Sequence, residues 1–179
     1  IFSALMVGVG MALNGTLGHA AAGVMLMIFK PFKEGDLVKI GGNATIGVVD
    51  ALNAFNTTLK TLDNKRIIIA NSNVTGNDIT NISGQGEVGV ELTFGIGYGD
   101  DIEHAEKVLR DIVMAHPLVL KDPEPTIKLH TLGESSVDFI VRPWTKPEDY
   151  WDVYWDITRT VKMRFDAEGI SIPFPQRDV

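Results

Sequence analysis

The sequence predicts a membrane α segment followed by an α+β region in two parts. Three observations predict it. Residues 1–29 contain no Asp, Glu, Lys or Arg. Residues 30–83 break into short runs rich in β-branched side chains, separated by Gly and Asn turns. Residues 84–179 alternate strand and helix patterns. With 179 residues, the chain has room for one large domain or two small ones.

The first segment is long enough to cross a bilayer, since a spanning helix needs about 20 residues. It is rich in Gly and Ala rather than in Leu, Ile and Val. Ala4, Gly8 and Ala12 recur every four residues and share a helix face. Such small-xxx-small spacing lets helix backbones approach each other in a membrane, and Gly10 and Gly15 extend the smooth surface. Val7 and Met11 form a second pair four residues apart. Gly15 costs a helix interior about 1 kcal/mol relative to Ala, and Asn14 is a poor helix former. A kink is therefore expected at Asn14–Gly15, between one half from Phe2 to Asn14 and another from Thr16 to Phe29. Pro31 ends the helix. A soluble helix of this length normally shows a polar stripe, and only Asn14, Thr16 and His19 are available. At about 1.5 Å per residue the segment exceeds the bilayer core, so one half is expected to span and the other to lie near the inner surface. Lys30, Lys33 and Lys39 suit a cytoplasmic flank, which puts everything after Phe29 in the cytoplasm. No basic region precedes the apolar run, which argues against a secretory signal. The opening Ile1 implies a longer polypeptide.

The middle part, residues 30–83, reads as a small, bent sheet or barrel. Its strands are Asp36–Ile40, Thr45–Leu52, Thr57–Thr61 and Arg66–Ala70, with turns at Gly41-Gly42-Asn43 and Asp63-Asn64. Open sheet edges invite pairing with a neighbouring subunit. The last part, residues 84–179, reads β-α-β-β-α-β, a ferredoxin-like order. Its first strand is Val88–Gly95. A helix over Asp101–His116 places Ile102, Ala105, Val108, Leu109, Ile112 and Val113 on one face. Thr126–Leu132 and Val137–Pro143 form a hairpin. A second helix over Asp149–Glu168 carries Val153, Ile157, Val161 and Phe165, with Gly169 as its C-cap. Ile170–Phe174 is the last expected strand.

Charge and composition exclude several functions. Residues 30–83 carry +1 and residues 84–179 carry −8, within a net charge of −7. An acidic distal half opposes nucleic-acid binding, which needs basic surface. Without cysteine there is no disulfide framework or thiolate metal site. His19, His104, His116 and His130 lack ligand spacing. His19 is expected to make a packed polar contact. Gly95-Ile96-Gly97-Tyr98-Gly99 lacks the Walker Lys-Ser/Thr and the third Rossmann glycine. Asp100 and Asp101 there read as helix-capping residues. Trp144, Trp151 and Trp155 are expected in core or subunit packing. No enzyme, metal or cofactor is implied.

Several stretches, in order, resemble one family: Gly10-Met11-Ala12-Leu13-Asn14-Gly15, Ala21-Ala22-Gly23-Val24, Phe29-Lys30-Pro31-Phe32 with Gly35-Asp36, and Thr57-Thr58-Leu59-Lys60-Thr61-Leu62-Asp63-Asn64-Lys65. Ile69-Ala70-Asn71-Ser72 and the end from Phe165 to Gln176 continue the match. Over essentially its whole length the chain resembles the small-conductance mechanosensitive channel (MscS) family. The resemblance implies a homoheptamer in a bacterial cytoplasmic (inner) membrane. Residues 1–29 would be a pore-lining kinked transmembrane helix, residues 30–83 a small Sm-like β domain, and residues 84–179 the wall of a cytoplasmic cage. Two lipid-contacting helices would precede Ile1.

The implied function is a tension-gated, weakly selective channel that releases ions and small solutes on hypoosmotic shock. Val7 and Met11 fall where the family places its apolar constriction. This sequence departs there from the usual Leu pair. A ring of apolar groups dewets and stops ions. Ala4, Gly8, Gly10 and Ala12 would form the sliding contacts between pore helices, and Asn14 and Gly15 the kink. Expected partners are other copies of the chain, membrane lipids and the permeating ions and solutes. The alternative is a membrane-anchored oligomeric scaffold or ligand-binding module that conducts nothing.

Overall fold

The structure is a computed structural model. It describes residues 2–41 and 45–175, without the side chains of Phe2, Ala4, Leu5 and Ala12. Gly42 and Asn43 of the expected turn lie outside the described residues. The chain divides into two compact units, residues 1–85 and 86–179.

The first unit opens with one helix, α1 (Phe2–Phe29), unbroken through Asn14 and Gly15. Among the described residues no helix is long and apolar enough to cross a membrane, so the spanning helix expected from the sequence is not confirmed by the structure.

Five short strands follow: β1 (Leu37–Ile40), β2 (Thr45–Leu52), β3 (Asn56–Lys60), β4 (Arg66–Ala70) and β5 (Ile79–Asn81). They form one antiparallel sheet in the order β4-β3-β2-β1-β5. A register shift between Val49 and Ala51 interrupts the β2–β3 ladder, and such a bulge bends the strand that carries it. In β1, Val38 and Ile40 point inward while Leu37 and Lys39 are half-buried, as a period of two requires. The core gathers Leu26 and Phe32 from the foot of α1 with Val38, Ile40, Val49, Leu59 and Val74. Thr61 closes the β3–β4 turn: its hydroxyl donates to the Asp63 carboxylate at 2.5 Å and accepts from the Lys65 backbone N–H at 2.8 Å. A short helix, α2 (Asn71–Thr75), follows β4. It was not expected from the sequence.

The second unit contains β6 (Val88–Gly89), β7 (Leu92–Ile96), α3 (Ile102–Ala115), β8 (Thr126–Leu132), β9 (Val137–Arg142), β10 (Trp144–Thr145) and α4 (Tyr150–Glu168). Its main sheet runs β7-β9-β8, with β9 antiparallel to both neighbours. Helices α3 and α4 bury Ala105, Val108, Leu109, Ile112 and Val113, and Val153, Ile157, Val161 and Phe165, in one core with the sheet. Ile102, expected on the apolar face of α3, is exposed at the helix start.

Two expected strands differ. The run Val88–Gly95 is two strands, because β6 pairs with β10 whereas β7 pairs with β9. Between them the Val90 N–H donates to the Pro143 carbonyl at 2.8 Å. The segment Ile170–Phe174 forms no strand, so the ferredoxin-like sheet has three of its four strands among the described residues. Pro173 and Pro175 remove the N–H groups a ladder needs. Asp100 takes the start of the segment instead: its Oδ2 accepts from the Ser171 N–H at 3.0 Å and the Ser171 hydroxyl at 2.6 Å. Gly169, at φ +72°, caps α4 as expected.

Candidate functional site

The first part of α1 has no covering within the chain. Met6, Val7, Val9, Met11, Leu13 and Leu17 are all exposed large apolar side chains. Val7 is 59 % exposed and Met11 76 % exposed, four residues apart and so on one side of the helix. Gly8, Gly10, Gly15 and Gly18 have nothing within 4 Å of the place a Cβ would occupy. Among the described residues nothing packs against these smooth positions. The side chains of Ala4 and Ala12, expected in the same packing stripe, lie outside the described residues. Asn14 and Gly15 are exposed within continuous helix.

The foot of α1 is the opposite case. Ala22, Gly23 and Leu26 are buried. A Cβ on Gly23 would stand 2.1 Å from the Ala54 carbonyl oxygen and 2.6 Å from the Asn71 Nδ2, so the helix backbone touches the β2–β3 turn directly. Asn71 holds that turn in place. It is fully buried, and its Nδ2 donates to the Asn53 and Ala54 carbonyls at 2.8 and 3.0 Å. Its Oδ1 accepts from the Thr57 hydroxyl at 2.9 Å, and its backbone N–H donates to the Phe55 carbonyl at 2.9 Å. Every polar group of the Asn71 amide is thereby engaged, as a buried amide requires. One turn earlier, His19 Nδ1 lies 2.6 Å from the Ser72 Oγ on α2, the packed polar contact expected of it. Nothing in the sequence marks Gly23 and Asn71 as a pair, because they are 48 positions apart. A glycine in a helix interior and an asparagine opening a short helix were the available signals.

Charge begins where the helix ends. Lys30, at φ +45°, and Lys33 flank Pro31 and the buried Phe32. Neither lysine has an ion-pair partner among the described residues. Asp36 is buried and accepts from the Lys33 N–H at 3.1 Å and the Asn81 amide at 2.8 Å.

The tryptophans fall outside the main core. Trp151 and Trp155 stack on each other on the exposed side of α4, with ring centroids 5.6 Å apart. Two histidines have acidic neighbours: the half-exposed His104 lies 3.3 Å from Glu168, and the largely buried His116 lies 3.5 Å from the exposed Asp156.

Comparison with known proteins bears on the helix and both units. The family model for the β-domain of mechanosensitive ion channels matches residues 16–84, and that for the MscS C-terminal region matches residues 90–172. The small-conductance mechanosensitive channel of Edwardsiella ictaluri is 40 % identical over 171 residues, covering 96 % of this chain and 59 % of that one. An MscS family protein of Synechocystis is 38 % identical over 179 residues, covering all of this chain and 60 % of the relative. The chain thus spans about three fifths of the length of these curated relatives. The crystal structure of Helicobacter pylori MscS in its closed state is 33 % identical, with a TM-score of 0.89 over 99 % of this chain and 70 % of that one. Arabidopsis thaliana MSL1 shares the fold at 18 % identity and a TM-score of 0.71, over 95 % of this chain and 63 % of that one.

Proposed function

The chain belongs to the MscS family of mechanosensitive channels, and from that premise we propose that α1 lines the pore of a tension-gated, weakly selective channel. The observation that carries the reading is the bare upper part of α1. It combines an uncharged surface, exposed Val7 and Met11, and glycines with no neighbour inside the chain. Several copies of such a helix, packed through Ala4, Gly8, Gly10 and Ala12, bury those surfaces and surround a channel. Seven copies are what the family resemblance implies.

Val7 and Met11 then form the closed constriction. Water in a narrow apolar ring lacks hydrogen-bond partners, so the pore empties and ions cannot keep their hydration. Stripping an ion of water costs several kcal/mol even after relaxation. Tension favours whichever state has the larger area in the membrane plane, a shift of population between closed and open forms. Asn14 and Gly15 supply the kink at which the helix bends between those states. No charged ring lies within α1, so any ion preference arises from the acidic region after residue 84. The protein would sit in a bacterial inner membrane, with residues after Phe29 in the cytoplasm, and release ions and small solutes on hypoosmotic shock.

A non-conducting, membrane-anchored oligomeric scaffold or ligand-binding module is the competing reading. Patch-clamp recording of the full-length protein in liposomes under stepped suction decides between them. Discrete currents that appear with pressure and vanish on release are expected. Silence up to membrane rupture, with the protein inserted and oligomeric, rejects the channel.

A further inference from the structure

A cavity of about 430 Å³ opens at the foot of α1, between the Lys30–Asp36 segment and the chain that leaves β5. Lys30, Lys33, Asp36, Asn81, Ser83 and Gln85 supply its polar wall. Lys30 and Lys33 bring two ammonium groups without ion-pair partners among the described residues. The Ser83 Oγ accepts from the Leu37 N–H at 2.9 Å, which leaves its hydroxyl proton to donate. On the same wall the Asn81 Nδ2 donates to the Pro31 carbonyl and to Asp36. Its Oδ1 is buried with no hydrogen-bond partner, unlike every other buried side-chain N or O atom among the described residues. Buried acceptors are normally satisfied, so the Asn81 amide beside the cavity is one partner short.

We propose that this cavity binds a phosphate-bearing group, and that its occupant in the membrane is the headgroup of a phospholipid. Two lysines are point charges suited to phosphate oxygens. With the Asp36 carboxylate the wall carries a net +1. That matches the single negative charge of a phosphodiester better than the nearly double charge of a free phosphate monoester, about −1.5 to −2 at neutral pH. A headgroup that also carries hydroxyl donors, such as glycerol, complements the Asp36 carboxylate on the wall. Position agrees: the first charges of the chain, Lys30 and Lys33, follow directly on 29 uncharged residues. Basic residues at that level attract lipid phosphates. The assignment to a lipid rests on the reading of α1 as membrane-embedded. The affinity for a phosphodiester does not.

The test is calorimetric titration of the full-length protein in detergent with dihexanoyl phosphatidylglycerol below its micelle concentration. Saturable binding is expected, weakened at least ten-fold in a Lys30→Gln/Lys33→Gln double variant. A Lys60→Gln/Lys65→Gln variant loses the same charge outside the cavity and should bind within two-fold of the parent. Equal losses in both variants, or none in either, overturn the site. Inorganic phosphate should displace the lipid only in large excess. Displacement at equal concentration would keep the anion site and overturn the membrane source. The titration needs no conduction, so a silent channel and an empty cavity are separate results.

Discussion

Single residues divide α1 into a bare half and an anchored half. Gly23→Ala places a methyl group 2.1 Å from a backbone carbonyl oxygen, and neither helix nor turn can move aside without losing the Asn71 bonds. Overpacking of this kind costs about 1–3 kcal/mol, so the unfolding midpoint of the variant should fall in a denaturant titration. Asn71→Ala leaves the carbonyls of Asn53 and Ala54 without their donor and should cost a further 1–3 kcal/mol or so in the same measurement. Val7→Asn is expected to leave stability unchanged, because the side chain is exposed. It should lower the pressure threshold in patch-clamp recording and slow cell growth, since a polar ring lets water stay in the constriction. At the β3–β4 turn, the Lys65 ammonium first, and the Thr61 hydroxyl second, hold the Asp63 carboxyl below its ordinary value. A carboxyl so lowered adds stability above its unfolded pKa and loses it as pH falls through the folded one. An NMR titration of Asp63 should therefore show its midpoint below that of an aspartate in an unstructured peptide.

Secondary-structure elements carry a different lesson. Gly15→Ala should strengthen the isolated helix by about 1 kcal/mol and meets no clash inside the chain. If Gly15 is the hinge of gating, the same change should alter threshold or closure kinetics in patch-clamp recording with no loss of helicity by circular dichroism. The buried face of α4 was legible in the sequence because Val153, Ile157, Val161 and Phe165 keep strict helical spacing, and all four are buried. Strands β2, β4 and β8 were equally legible from their β-branched runs. The failures have local causes. Residues 170–174 look like a strand by composition, but Pro173 has no N–H to offer, the Asp100 carboxylate takes the Ser171 N–H, and a single backbone bond, from the Gly97 N–H to the Ser171 carbonyl, reaches the segment from the end of β7. Val88–Gly95 looks continuous, but the chain changes partner at Val90. Helix α2 has five residues, too few for any periodicity. The Gly23–Asn71 contact was hidden because each residue acquires its role from the other, where α1 meets α2.

The molecule as a whole consists of two units with separate cores. Residues 86–179, expressed alone, should therefore fold and unfold cooperatively, as a thermal melt followed by near-ultraviolet circular dichroism would register through its three tryptophans. The first unit anchors one end of a long rod and leaves the other bare. Such a rod is a cantilever, clamped at Gly23 against the Ala54 carbonyl. From residue 23 to residue 2 its arm is about 32 Å at 1.5 Å per residue. A tilt of about 10° at the clamp then sweeps the tip through roughly 5–6 Å, about the rise of one helical turn. The cost of such a tilt is concentrated in the few hydrogen bonds of Asn71, while the displacement appears around Val7 and Met11. A small rotation at the stiff end thus becomes a large displacement at the free end.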